Sequence, residues 1–508
     1  MNKVPYRFEN LLSGIQRPGQ WYVDAKRGTV WLWPLEAMDP NGVCVTASFL
    51  PSAIEVRGTP TFPVRFLTLS GFSVQGAGLV AEASRKETGS MGARGAAVSL
   101  SEVEDCLIEK LTLRCNAGSG VAASGHVKRV TISQCLIYEM GGAGVTLSGS
   151  LMDPDASCAD NRIIENHVHH CGMLYWHSSG IGVACSEGGL IGRNLVHDMP
   201  YAGITVGGGA RHRWFAGWPR KFPELEDLWA RRGEGEPTIT KVKALISGHN
   251  RIEGNIVYNV MSKLDDGAAI YCHAGHHSLM KNNFVWRGGR PKTFGLYFDD
   301  EEMSSTMVGN IVLDCPVKDE SYGSAIHIHN NPNNTLVNNL VLADTIIFSY
   351  PNSYGGHVIQ NNVFLYRGTA RVHVDPSPVL GAGDGRRQVG WSYSPSVMEE
   401  NLFWSTLGEK GVASHVKALR EKGFDALGKT IVGMPGLEIT PKRMIRVKRG
   451  TNTAKISFSA IDFSGMGPQK RFVSAIPQAL WEALAKALAL FDKRVSLRIK
   501  KPLSLSQT

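Results

Sequence analysis

RIEGNIVY (251–258), LMKNNFVW (279–286), TMVGNIVL (306–313), TLVNNLVL (335–342) and VIQNNVFL (358–365) are five copies of one pattern. An apolar residue, two further residues, a marked position, one residue and an apolar residue recur, and the mark is Asn255, Asn283, Asn310, Asn339 and Asn362 in turn. Toward the N-terminus the pattern continues as LTLSGFSV (67–74), LIEKLTL (107–113), TISQCLI (131–137), IIENHVH (163–169) and LIGRNLVH (190–197), marked at Leu111, Cys135, Asn166 and Asn194. Successive marks from Leu111 onward are 24, 31, 28, 61, 28, 27, 29 and 23 residues apart. Between marks lies a second motif, Gly or Ala followed by alternating apolar residues: GVTL (144–147), GIGV (180–183), GITV (203–206), AIYC (269–272), GLYF (295–298) and AIHI (325–328). Each repeat therefore holds at least two short strands separated by turns.

Several strands per repeat and no helical period predict an all-β solenoid, a right-handed parallel β-helix of about nine or ten coils. Leucine-rich repeats have similar lengths, but their LxxLxL signature is absent. One coil cannot bury its own inward residues; stacking coils about 4.8 Å apart buries a continuous core. Asparagines stacked at one turn can hydrogen-bond along the stack and satisfy buried backbone groups, so the Asn column reads as structure and should face inward. The expected organisation is an N-terminal β segment (1–60) with a hairpin in WYVDAKRGTVWLWP (21–34), the β-helix (61–372), a cap region (373–475) and a basic tail (476–508). Within that tail, PQALWEALAKALALFDK (477–493) reads as an amphipathic helix with Leu480, Leu484, Leu488 and Phe491 on one face, covering a sheet end or another surface.

The composition agrees with a folded chain. Of 508 residues, 43% are hydrophobic and 19% charged, which excludes a disordered protein, and no uninterrupted apolar run is long enough to span a membrane. The formal net charge is +9, and residues 436–508 carry 14 Lys/Arg against 4 Asp/Glu, so the body is close to neutral and the basicity belongs to the tail. Nothing in the body resembles a phosphate-binding groove, and neither nucleic acid nor membrane is expected as a partner. Nine cysteines without a CxxC pair argue against a zinc ribbon or redox motif; Cys106, Cys135, Cys171 and Cys315 fall in or beside apolar runs and read as buried thiols. No secretory signal is visible at residue 1.

Chemistry concentrates in the coils after the long spacing of 61, which marks an insertion at 208–248 containing Trp214 and Trp218 among Arg211, His212, Arg213, Arg220 and Lys221. A loop of that length in a regular array is usually functional, and Trp rings stack on sugars. If Ile270, Leu296 and Ile326 point inward, Tyr271, Tyr297 and His327 form one outward column and His273, Asp299 and His329 the next. Acidic pairs and runs flank these columns: Asp265-Asp266 before one strand, Asp299-Asp300-Glu301-Glu302 at the end of the next. Two carboxylates with separated pKa values are what glycoside hydrolysis requires. On one straight strand, the offset of Asp266 from Asp299 would be about 23 Å, too far for a catalytic pair, so pairing requires the chain to fold back near Gly267.

Taken in order, WYVDAKRGTVWLWP (21–34), NRIIENHVHHCGMLYWHSSGIGV (161–183), NLVHDMPYAGITVG (194–207), DDGAAIY (265–271) and GLYFDDEEMSS (295–305) resemble bacterial β-helix glycosidases of the pectate-lyase-like superfamily. The likeness is nearest to glycoside hydrolase family 141, whose activities include fucosidase and xylanase. It covers about residues 1–365, with an echo in SFSAIDFSGMGP (457–468). The resemblance implies a catalytic pair at Asp266 and Asp299 and a secreted or periplasmic setting, with the chain resembling an N-terminally shortened member. GGGARHRWFAGW (207–218) stands where such proteins carry an aromatic-rich segment, so the sugar is not implied.

The expected function is hydrolysis of a plant- or microbe-derived polysaccharide or glycan by a monomer without cofactor. Asp266 and Asp299 are its expected catalytic pair; Tyr271, His273, Tyr297, Asp300, His327, His329, Trp214 and Trp218 are its expected substrate contacts. Asp266 is the expected acid, because Asp299 beside two imidazoles should stay ionised; the more enclosed carboxyl of the pair should have the raised pKa. A calcium-dependent polysaccharide lyase would instead use the acidic run to hold Ca²⁺, with Lys263, Arg290 or Lys292 as base. A non-catalytic glycan-binding β-helix is the third reading. The HxH pairs His167/His169 and His327/His329 could bind a metal, but no third ligand is spaced to join them, and no metal site is expected.

Overall fold

The computed structural model describes residues 10–36, 38–39, 42, 50–77, 95–149, 158–208, 247–288, 293–299, 302–315, 324–329, 331, 333–344, 348–350, 356–371, 373–374, 396–448 and 450–491. The chain divides into a small unit, Met1–Ser48, and a large one, Phe49–Thr508. In the small unit, Trp21–Asp24 pairs antiparallel with Thr29–Leu32 around Gly28, at φ 64°, so the hairpin read from the sequence is present.

The large unit is a solenoid of three parallel sheets. One coil passes from the third sheet (Ile256–Val260) to the first (Ala268–His273), the second (Leu279–Lys281) and back to the third (Phe284–Gly288). Each strand pairs in register with its counterpart one coil later, as Ile256, Val257 and Tyr258 do with Phe284, Val285 and Trp286. The solenoid is longer than residues 61–372. Its first strand is Ser52–Arg57, paired with Ala96–Glu104, and its third sheet runs on through Leu402–Ser405 to Ile431–Val432.

The turns explain the sequence pattern. The residue before each Asn mark adopts a left-handed conformation, as Glu165 (φ 57°), Arg193 (51°), Asn282 (51°) and Asn338 (56°) do. That conformation costs a non-glycine residue about 1–2 kcal/mol, and the Asn that follows offsets it with hydrogen bonds. Asn283 donates from Nδ2 to Asn310 Oδ1 at 3.0 Å and to Ile252 O at 2.8 Å, while its Oδ1 accepts from the Asn255 backbone N–H and side chain at 3.0 Å each. The same exchange links Asn166, Asn194, Asn255, Asn283, Asn310, Asn339 and Asn362 and continues to Asn401, all buried. A second inner ladder lines the turn from the first sheet to the second, through Ser305, Asn334, His357 and Ser396.

Outside the third sheet lies a second apolar layer. Leu195, Ile256, Phe284, Ile311, Leu340, Val363 and Leu402 face outward and are covered by Leu480, Trp481, Leu484, Leu488 and Phe491. The helix Gln478–Ala489, capped by Pro477, thus buries its apolar stripe on a sheet face. Residues 459–471 strap the coils together along the way: Asn338 exchanges two hydrogen bonds with Ser459, Gly467 N–H donates to Gly254 O at 2.7 Å, and Arg471 donates to Gln134 O at 3.0 Å.

Candidate active site

The candidate site is built on a bend in three stacked strands, Ala268–His273, Phe294–Asp299 and Ser324–Ile328. Strict alternation would send every second side chain outward. Here Ala269 and Ile270 both lie in the interior core, as do Ala325 and Ile326. Two successive inward residues bend the strand, so Ala268 and Phe294 turn toward Tyr271 and Tyr297 and form a separate apolar cluster outside the solenoid. The Phe294 ring stacks parallel to His327, with centroids 4.1 Å apart, and lies 4.7 Å from Tyr297.

The register stacks Tyr271 on Tyr297 on His327, and His273 on Asp299. Asp299 sits at the centre. Tyr271 Oη donates to its Oδ2 at 2.6 Å and His329 Nδ1 lies 2.8 Å from its Oδ1. Burial opposes its ionisation, but the hydrogen bonds and charge of His329, with donors from Tyr271 and Tyr297, outweigh that and hold the carboxyl well below the usual range. The same burial, together with the Asp299 charge, pushes Tyr271 and Tyr297 up, so both phenols remain donors. The expectation that the more enclosed carboxyl has the raised pKa is therefore reversed: enclosure by donors stabilises the charge.

The remaining expected residues distribute unevenly. Asp266 adopts φ 58° and Gly267 follows it; Gly267 O accepts from Phe294 N–H at 3.0 Å, and the Asp266 backbone carbonyl accepts from Tyr201 Oη at 3.1 Å. The chain thus turns at Asp266, whose side chain is exposed, as it enters the strand. A Cβ on Gly267 would meet the Tyr201 ring at 2.7 Å, so only glycine fits beneath that ring. Burial, then Asp266 and Asp299, raises the Tyr201 hydroxyl, so both carboxylates lie within electrostatic reach of one phenol. His273, stacked on Asp299 by the register, has its Nε2 2.3 Å from where a Gly207 Cβ would be, so the ring leans over the preceding coil. Tyr297 and His327 are each 1% exposed and lie beneath the surface of the site, whereas Tyr271 and His273 are half-buried. Asp300, Trp214 and Trp218, with almost all of the loop 208–248, lie outside the described residues.

Two residues were not singled out in the sequence. Tyr201 holds the turn at Asp266–Gly267, with His177 packed edge-on to it at 4.4 Å. Trp176, next to His177 in the chain, is half-buried, with Lys263 Nζ 5.9 Å from its ring. Glu302, read in the sequence as part of the acidic run, turns away from it into the interior, bonded by Ser305 Oγ at 2.6 Å. Burial pushes its carboxyl up to about 7 against the hydrogen bonds of Ser305 and Ser278. The run 299–302 is thus not one acidic face.

Residues 64–217 match the family described as "Right handed beta helix region". No curated protein matches the chain. Among solved structures, it is similar to one titled "Glycoside hydrolase" (17% identity, TM-score 0.47, 65% of this chain and 57% of that one). It is also similar to a lacto-N-biosidase from Eubacterium ramulus (13%, 0.36, 70% and 60%) and to PfbA, a surface adhesin of Streptococcus pneumoniae (11%, 0.36, 67% and 80%). The chain thus spans only about 57% of the length of the first of these. Likeness this distant assigns no activity. Strand order, register and the family match over the first coils make this molecule a right-handed parallel β-helix.

Proposed function

We propose that the chain is a glycoside hydrolase acting on an oligo- or polysaccharide, with Asp299 as the ionised carboxylate and Asp266 as the acid. The observation that carries this reading is a buried carboxylate kept charged by Tyr271, Tyr297 and His329 on the outer face of the sheet, within a bend lined by aromatic rings. In this mechanism Asp266 donates its proton to the glycosidic oxygen as the bond from that oxygen to the anomeric carbon breaks. Asp299 either attacks the anomeric carbon or takes a proton from the water that does. Tyr271 and His273 border the bound sugar, and Trp176 offers a ring for stacking.

A calcium-dependent lyase would need the acidic residues gathered around a cation. Glu302 is committed to the interior and Asp299 to its donors, which favours hydrolysis. The test is a panel of neutral and acidic glycans with products read two ways. New reducing ends without ultraviolet absorbance from an unsaturated sugar, and unaffected by a chelator of calcium, support hydrolysis. An unsaturated, chelator-sensitive product supports the lyase, and binding without turnover a glycan-binding surface.

A further inference from the structure

Away from Asp299 and its donors, three imidazoles meet at the turn from the first sheet to the second. His249 and, one coil later, His276 and His277 bring ring nitrogens within 4.8 Å of one another. His276 Nδ1 and His277 Nδ1 are 3.0 Å apart. The His249 ring lies parallel to that of His277 at 4.9 Å, and His276 stands edge-on to both, at 5.2 and 5.3 Å. The backbone imposes this arrangement: His249 and His277 are both left-handed, at φ 51° and 52°, and His249 N–H donates to His276 O at 3.0 Å.

A carboxylate lies beside the set. The register stacks Glu187, Gly248 and His276 in successive coils. A Cβ on Gly248 would lie 2.6 Å from both Glu187 Oε2 and His276 Nε2, so the glycine leaves a slot into which the carboxylate leans from one side and the imidazole from the other. Glu187 Oε2 is buried and accepts no hydrogen bond among the described residues, while Oε1 lies 3.8 Å from His249 Nε2. Three converging imidazoles, with the Glu187 carboxylate beside them, form a donor set suited to a borderline ion, whose ligands in a tetrahedral site lie at about 2.0–2.2 Å.

We propose that His249, His276, His277 and Glu187 bind one divalent transition-metal ion of the zinc class. The ion acts as a staple. His249 comes two residues after Ser247, where the chain returns to the first sheet following residues 209–246, and the ion ties that return to the coil on either side. Because only the folded chain assembles the donors, binding stabilises the fold.

The test uses the full chain without an affinity tag, stripped with chelator and then titrated with Zn²⁺ by calorimetry and with Co²⁺ by visible absorption. The expected result is one ion per chain, the absorption of four-coordinate Co²⁺ and a higher melting temperature with metal. His249→Ala and His277→Ala, at exposed positions, should each weaken binding by roughly tenfold or more, while His170→Ala, in a different imidazole cluster, should bind as the parent does. Circular dichroism of the stripped variants checks that they fold. Absence of saturable binding, or binding that survives both substitutions or is lost only with His170→Ala, would overturn the proposal.

Discussion

Asp299 is buried and nevertheless charged, because three donors replace the water it lost. Removing one donor should expose the burial cost. Tyr271→Phe deletes the 2.6 Å hydrogen bond. The Asp299 carboxyl should then titrate at higher pH, and the acid limb of kcat/KM should move upward. A pH–rate profile on a cleaved glycan checks this, with an unmoved limb counting against Asp299 as the titrating group. Gly267→Ala would place a methyl against the Tyr201 ring. It should cost about 1–3 kcal/mol and loosen the turn at Asp266–Gly267, measured by denaturant titration. Asp299, Tyr271 and His329 were legible because period-two alternation aligns them once the register is known. The lean of His273 over Gly207 was not, since side-chain direction within a column depends on where the neighbouring coil lacks a Cβ. The low pKa of Asp299 was half legible: its imidazole neighbour could be read, but the two phenol donors could not.

Among the elements, the asparagine ladder and the covering helix make separable contributions. Asn283→Ala leaves two backbone groups of the preceding coil, Asn255 N–H and Ile252 O, without their partner. Such a buried loss costs about 1–3 kcal/mol for each unsatisfied group, so the thermal midpoint should fall by several degrees with glycan turnover retained. Leu484→Ala empties a fully buried position under the helix and should cost about 2–5 kcal/mol. A midpoint unchanged by Leu484→Ala would mean that the helix does not hold the third sheet. The ladder was readable because its spacing is nearly constant. Asn401 was missed because 39 residues separate it from Asn362, longer than the repeats that reveal the pattern. The helix was readable from its apolar stripe, but the strap 459–471 carries no period, since it meets the coils through backbone groups and single side chains.

At the scale of the molecule, buried imidazoles set the response to acid. Burial lowers His167 and His357 to about 3, and His169 and His415 to about 4, against about 6.5 when unfolded. The unfolded chain therefore binds more protons between those values. The stability these groups confer is full above about pH 6.5 and is lost as pH falls toward 4 and 3. Glu302 acts in the opposite sense: raised to about 7, it confers stability at acid pH that is lost as pH rises through 7. Four imidazoles outweigh one carboxyl, so the melting temperature should drop steeply below pH 6. Glu302→Gln should remove the loss on the neutral side and leave the acid limb in place, as melting curves across pH would record. The architecture was legible at this scale because coils repeat; the ends of the solenoid were not, since the first and last coils depart from the spacing that identifies the rest.

The most direct measurement is turnover of a glycan by the parent chain and by Asp299→Asn, with circular dichroism and thermal melting of both. The account predicts that the variant folds as the parent does and that hydrolysis falls by about 10²–10⁴-fold. A folded Asp299→Asn that cleaves the parent's substrate at the parent's rate would contradict it.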